Sequence, residues 1–182
     1  MAQAKKWDQY VSKMTRYPGF SHPAYGDRIT QGSLIYDKIV TPVAPAHIEV
    51  FQINKPGTGM GTGTHMGPVF PYGEKKGLYL DDNPHWHPVD ECFLYHGSVL
   101  DKPGYLGGEI EFWMGEGKEA EKYTITEPSV VYVPAGVIHV PIFFNKVDSP
   151  ATPIFMIVLY FSGVYMRFDS KEFPPNFTHK NE

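Results

Sequence analysis

Long proline-free stretches are scarce in this chain. Its 182 residues hold 17 prolines and 18 glycines, and proline-free runs of 16 residues or more occur only at 1–17, 24–41, 104–127 and 154–173. Proline breaks a helix and glycine weakens one, which excludes a helical bundle or a long coiled coil and disfavours an α/β layered fold. Cysteine is nearly absent: Cys92 stands alone, so no internal disulfide can form. Basic runs do not exceed pairs such as Lys5-Lys6 and Lys75-Lys76, and 16 Lys plus Arg against 20 Asp plus Glu give a formal net charge of -4. The basic stripe of a nucleic-acid-binding protein is therefore missing. The longest apolar run, Ile154 to Phe161, has eight residues, far short of the roughly 20 that span a membrane. Met1 to Asp8 lacks the apolar stretch of a signal peptide. The expectation is a cytoplasmic protein with neither nucleic acid nor membrane as partner.

What the chain does have is 42% hydrophobic and 15% aromatic residues, enough for one domain with a real core. We expect a single domain over 1–182, with a barrel core at about 45–165, an N-terminal helical extension within 1–40 and a polar C-terminal tail at 168–182. Trp7, Tyr10, Val11 and Met14 are spaced i, i+3, i+4, i+7, which predicts a short helix over 3–15. Beyond Pro18-Gly19 the period becomes two. Runs at 33–40, 47–53, 92–96, 109–114, 121–126, 130–133, 137–144 and 154–166 read as strands between Gly/Pro turns, which indicates an all-β barrel or sandwich. The glycine-rich segment Lys55 to Gly67 has the wrong register for a dinucleotide fingerprint and reads as a loop over one end of the barrel.

The stretch Asn83-Pro84-His85-Trp86-His87-Pro88-Val89-Asp90-Glu91 carries the chemistry. His85 and His87 lie two apart, so on a strand both imidazoles point to one face. On a straight strand Glu91 would sit about 13 Å from His87, too far to share an ion. Pro88 cannot donate to a ladder, so Pro88-Val89-Asp90 is a credible turn that returns Glu91 to the histidines. A fourth donor follows the tight turn Pro134-Ala135-Gly136: His139, at the head of the next strand. Three imidazoles and a carboxylate suit iron, manganese, nickel, zinc or copper. Ligand histidines must be neutral, so metal should be released as pH falls below about 6.

This pattern resembles the cupin superfamily, whose motifs read G-x5-H-x-H-x3,4-E-x6-G and G-x5-P-x-G-x2-H-x3-N. His85, His87 and Glu91 match the ligands of the first and His139 that of the second. The turn residues drift. Tyr79 stands at the leading glycine, Gly97 comes one position early, Pro128 replaces the second leading glycine, and Phe143 takes the Asn position with Asn145 two later. Residues 107–115, 133–136 and 140–144 are similar to a branch of small single-unit microbial cupins. The resemblance implies a jelly-roll β-barrel with one divalent transition metal, and a homodimer is an expectation by the same likeness.

Strand parity turns Phe93 and Tyr95 inward with Glu91, and Val137, Pro141 and Phe143 inward with His139. This predicts an aromatic pocket lined by Phe93, Tyr95 and Phe143, with His65 reaching in from the glycine-rich loop. Cys92 faces away as an inert apolar residue. Glu109 and Glu111 share a face: inward, they offer a general acid or base; outward, a solvated stripe. His22, His47 and His179 read as exposed. The function expected is that of a metal-dependent enzyme on a small oxygenated or carboxylic substrate, dioxygenase-like by slight preference. The alternatives are an isomerase, lyase or decarboxylase, or a binding and sensing module without turnover.

Overall fold

The computed structural model describes residues 10–16, 34–38, 41–56, 58–60, 84–166 and 168–170. They form twelve strands: β1 (Thr15–Arg16), β2 (Leu34–Tyr36), β3 (His47–Ile53), β4 (Thr58–Met60), β5 (His85–Trp86), β6 (Glu91–Gly97), β7 (Gly108–Met114), β8 (Glu121–Ile125), β9 (Ser129–Val133), β10 (His139–Val147), β11 (Ile154–Tyr160) and β12 (Phe168–Asp169). One sheet runs β1-β2-β3-β11-β6-β9 and the other β12-β5-β10-β7-β8, with β4 also on β10; every pair is antiparallel. The all-β class holds, and no helix among the described residues is long and apolar enough to cross a membrane.

The sheets face each other across one apolar core. Alternation along β11 buries Ile154, Met156, Val158 and Tyr160, and along β6 it buries Glu91, Phe93 and Tyr95. Opposite them lie Ile110 and Phe112 of β7 and Ile142 and Phe144 of β10, all fully buried. Burying one such side chain stabilises by about 1.5–3 kcal/mol, so these facing pairs hold the sheets together.

Several expectations change on contact with the fold. Most of the segment 3–15 lies outside the described residues; Val11 to Met14 are not helical, and Thr15–Arg16 pairs with β2 as a strand. Thr58–Met60, expected in a loop, forms a strand on β10. The start of the expected tail, Phe168–Asp169, forms a strand on β5. The run 154–166 stops as a strand at Tyr160, and Gly163 beyond it packs tightly: its carbonyl takes the Lys38 N–H at 3.1 Å, and a Cβ there would meet the Ala44 carbonyl oxygen at 2.2 Å.

The parity of β10 also departs from expectation. His139 pairs with Met114 but Ile142 pairs with Phe112, so β10 spends three residues where β7 spends two. This is a bulge, and within it Val140 has φ 63°, a conformation rare for a β-branched residue. The extra residue keeps His139 inward while turning Ile142 and Phe144, rather than Phe143, into the core.

Candidate metal centre

Each sheet carries three polar residues in one cross-strand row at the same end of the barrel. In the first sheet the register aligns His47, Tyr160, Glu91 and Val133 across β3, β11, β6 and β9. In the second it aligns Asp169, His85, His139 and Met114 across β12, β5, β10 and β7. His85, His87, Glu91 and His139 are all at least 94% buried, and the three histidines offer ring nitrogens within 4.8 Å of one another. Glu91 reaches across from the facing sheet, its Oε2 2.9 Å from His139 Nε2 and 3.3 Å from His87 Nε2. The turn at 88–90 is where it was expected, but it joins two sheets rather than two neighbouring strands.

Two backbone carbonyls set the chemistry of these rings. His87 Nδ1 donates to Met166 O at 2.6 Å, and His139 Nδ1 donates to Val137 O at 3.0 Å. A ring whose Nδ1 carries the proton presents a bare lone pair at Nε2. His87 Nε2, His139 Nε2 and Glu91 Oε2 are all buried without a hydrogen-bond partner, although they crowd one another. A buried carboxylate beside two outward-facing nitrogen lone pairs is a site that a divalent cation fits. His85, His87, His139 and Glu91 could hold it.

The loops behind these donors are tied together. Asp90 Oδ1 accepts from Ala135 N–H at 2.9 Å, and Asp90 Oδ2 from the Tyr132 hydroxyl at 2.8 Å. These donors hold the Asp90 pKa below its ordinary value. Gly136 N–H donates to His87 O at 2.8 Å, and Phe161 N–H to Asp90 O at 3.1 Å. The turn before His139 is thereby pinned to the turn between His87 and Glu91.

The two facing antiparallel sheets with buried histidines at one end are the arrangement that the cupin resemblance of the sequence implies. No family model matches the sequence, and no curated protein matches it. Among solved structures the chain is similar to an oxalate oxidase, at 16% identity over 89% of this chain and 64% of that one, with a TM-score of 0.49. It is similar to the oxalate decarboxylase OxdC of Bacillus subtilis, at 16% identity over 76% and 28% with a TM-score of 0.43. It is also similar to the capsular polysaccharide assembling protein CapF of Staphylococcus aureus, at 17% identity over 64% and 23% with a TM-score of 0.38. The chain thus spans less than two thirds of the length of each.

The remaining expected site residues separate into three groups. Phe93 and Tyr95 point inward: Phe93 packs edge-on to His139 at 5.8 Å, and Tyr95 lies deeper, its hydroxyl buried without a partner. Phe143 is buried, but the β10 bulge places it across from Glu111, opposite the core face, so it does not line the interior. Glu109 and Glu111 alternate with the buried Ile110 and Phe112 and therefore lie on the outer face. There Asn145 donates to both, at 3.1 and 3.4 Å, and the Trp113 indole donates to Glu111 at 2.8 Å. Neither can exchange protons with a ligand at the histidines. His65, His22 and His179 lie outside the described residues. Cys92 faces outward, and burial pushes its thiol pKa up, in keeping with an unreactive residue.

His47 overturns its expected exposure. It is 3% exposed, with Nδ1 3.2 Å from Asp37 Oδ2 and Nε2 3.1 Å from Glu49 Oε1. Burial lowers its pKa, but Glu49 and then Asp37 outweigh burial and leave it above 6.5. A histidine whose folded pKa is raised contributes stability that is full below the unfolded value and lost as pH climbs through the folded one. The melting temperature of the metal-free chain should therefore fall from pH 6 towards pH 9 by more in the wild type than in His47→Gln, which calorimetry across that range checks.

Proposed function

We propose that this chain is a metal-dependent enzyme acting on a small oxygenated or carboxylic organic substrate, dioxygenase-like in reaction. One observation carries the reading: three buried acceptor atoms, on His87, His139 and Glu91, face one another with no proton to share. His85, His87, Glu91 and His139 would hold a divalent ion, which would supply Lewis-acid or redox chemistry toward substrate oxygens or dioxygen. Met166 O and Val137 O hold the two imidazoles in the tautomer that donates from Nε2. Glu91 would supply one negative charge to the ion. Phe93 walls the site on the core side and excludes water there. The Tyr95 hydroxyl beyond it is the nearest unspent donor on the strand that carries Glu91.

The dioxygenase-like reading gains from the placement of Glu109 and Glu111. An isomerase, lyase or decarboxylase needs a proton-transfer group, and with those two outside it would have to draw on the Tyr95 hydroxyl, whose pKa burial pushes up, or on Glu49 and His47, which are already paired. A binding module without turnover needs no such group and is the second reading. Elemental analysis of chain purified without chelator or affinity-tag metal, then oxygen uptake with catechol-like and diketone substrates under that metal, tests the proposal. Uptake of oxygen with substrate loss is expected. Turnover that proceeds equally without air rejects the dioxygenase-like reading, and saturable binding with no product over hours selects the binding module.

A further inference from the structure

His47 lies outside the four donors, yet it is built into the same end of the barrel. Asp37 from the β2–β3 connection, Glu49 from β3, Tyr160 from β11 and Tyr165 from the segment after β11 pack against it. Both ring nitrogens face carboxylate oxygens, an arrangement in which both must carry protons. The Tyr165 ring lies between two imidazoles, its centroid 5.3 Å from His47 and 5.1 Å from His87. Tyr160 repeats the bridge, at 6.5 Å from His47 and 5.0 Å from His87. An imidazolium within about 6 Å of an aromatic face is attracted to it, so His47 draws Tyr165 inward. Tyr165 precedes Met166, whose backbone is held on both sides by the Tyr160 hydroxyl: Tyr160 donates to Met166 O at 3.1 Å and accepts from Met166 N–H at 3.2 Å. Met166 O is the acceptor of the His87 Nδ1 proton.

We propose that His47 is a positioning residue for His87: its charge, fixed between Asp37 and Glu49, seats Tyr165 against His87 and so sets the adjoining Met166 carbonyl that selects the His87 tautomer. This deepens the metal reading above and rests on it for its effect on ion binding. The geometric part, control of the His87 tautomer, stands in the metal-free chain as well. The position carries a second consequence. His47 and Glu91 lie in one row of the sheet, separated only by Tyr160, so the clamp reaches the donors from the side opposite the Asp90 ties.

The test uses the full chain and Co(II) alone as probe, with His47→Gln, Tyr165→Leu and the double variant, each first checked by far-UV circular dichroism. Long-range 1H–15N spectra of the metal-free proteins read the His87 tautomer. The wild type is expected to show a single Nδ1–H form and both single variants a mixture. Co(II) affinity, measured by chelator competition, should weaken by about 10–100-fold in each single variant, as for other residues that orient a ligand histidine, with a change in the visible absorption band. The double variant should be no worse than the weaker single one, because both act through one contact. Folded His47→Gln with unchanged His87 signals and Co(II) affinity within about twofold of wild type overturns the proposal, as do single effects that multiply. If His47→Gln does not fold, Tyr165→Leu decides it, since that side chain is 40% exposed and its loss opens no core. A wild-type chain that takes up no Co(II) refutes the metal reading; the His87 tautomer then still judges the clamp by itself.

Discussion

Replacing His139 with alanine is expected to leave a folded β protein that no longer takes up a stoichiometric metal ion. His139 is fully buried, its Nε2 lies 2.9 Å from Glu91 Oε2, and its Nδ1 is held by Val137 O. Removing it leaves His85, His87 and Glu91 around a gap that water can enter. Residues that merely orient a ligand histidine cost about 10–100-fold in metal affinity, so loss of the ligand itself should cost at least about 100-fold. His87→Ala should match it, because the His87 Nε2 lone pair also faces Glu91, at 3.3 Å. The fold should survive both changes, since the strand pairs below the site do not depend on either imidazole. Metal content after gel filtration, with far-UV circular dichroism on the same samples, measures both halves of the prediction. Two folded variants that retain one ion per chain would falsify the assignment of the site.

The four donors were legible in the sequence because their signal is local. His-x-His sets one face of a strand, Pro88 marks the turn that returns Glu91, and Pro134-x-Gly marks the turn before His139. The strands at 47–53, 92–96, 109–114 and 121–126 were legible for the same reason, since alternation is a property of adjacent residues. The misreadings all come from facts that are not local. A bulge is one extra residue against a partner strand, so the reversal that turns Phe143 outward depends on how β10 pairs with β7. Glu109 and Glu111 could not be assigned a face until that pairing was known. His47 carried half a signal: Glu49 lies two residues on and shares its face, which is visible in the sequence, whereas Asp37 comes from another connection. Tyr165 and Met166 read as strand residues, and only the return of the chain at Gly163 places them behind His87.

Gly97→Ala is expected to lower stability by about 3 kcal/mol while leaving the metal site of the folded protein unchanged. Gly97 closes β6 at the end of the barrel opposite the histidines and stands one position from the glycine of the first motif. A Cβ at Gly97 would lie 2.1 Å from Tyr105 O and 2.8 Å from Leu106 O. Both obstacles are backbone, so no rotamer change can relieve them. Leu106 is fully buried in the core cluster, and moving its peptide drags that side chain from its seat. Forcing extra volume into packed structure costs about 1–3 kcal/mol, and the absence of a flexible neighbour puts this substitution at the upper limit. For a chain of this size that corresponds to a melting temperature lower by roughly 6–12 °C. Gly104→Ala is the matched control: nothing lies within 4 Å of its would-be Cβ, so its stability should stay within about 0.5 kcal/mol of wild type. Urea denaturation of both variants separates the two cases, and equal midpoints would show that the 97–106 contact is looser than its geometry requires. Co(II) affinity of folded Gly97→Ala should equal that of wild type, because five residue pairs along β6 and β11 separate the strained contact from Glu91, and stability and ion binding are then carried by opposite ends of the same strands.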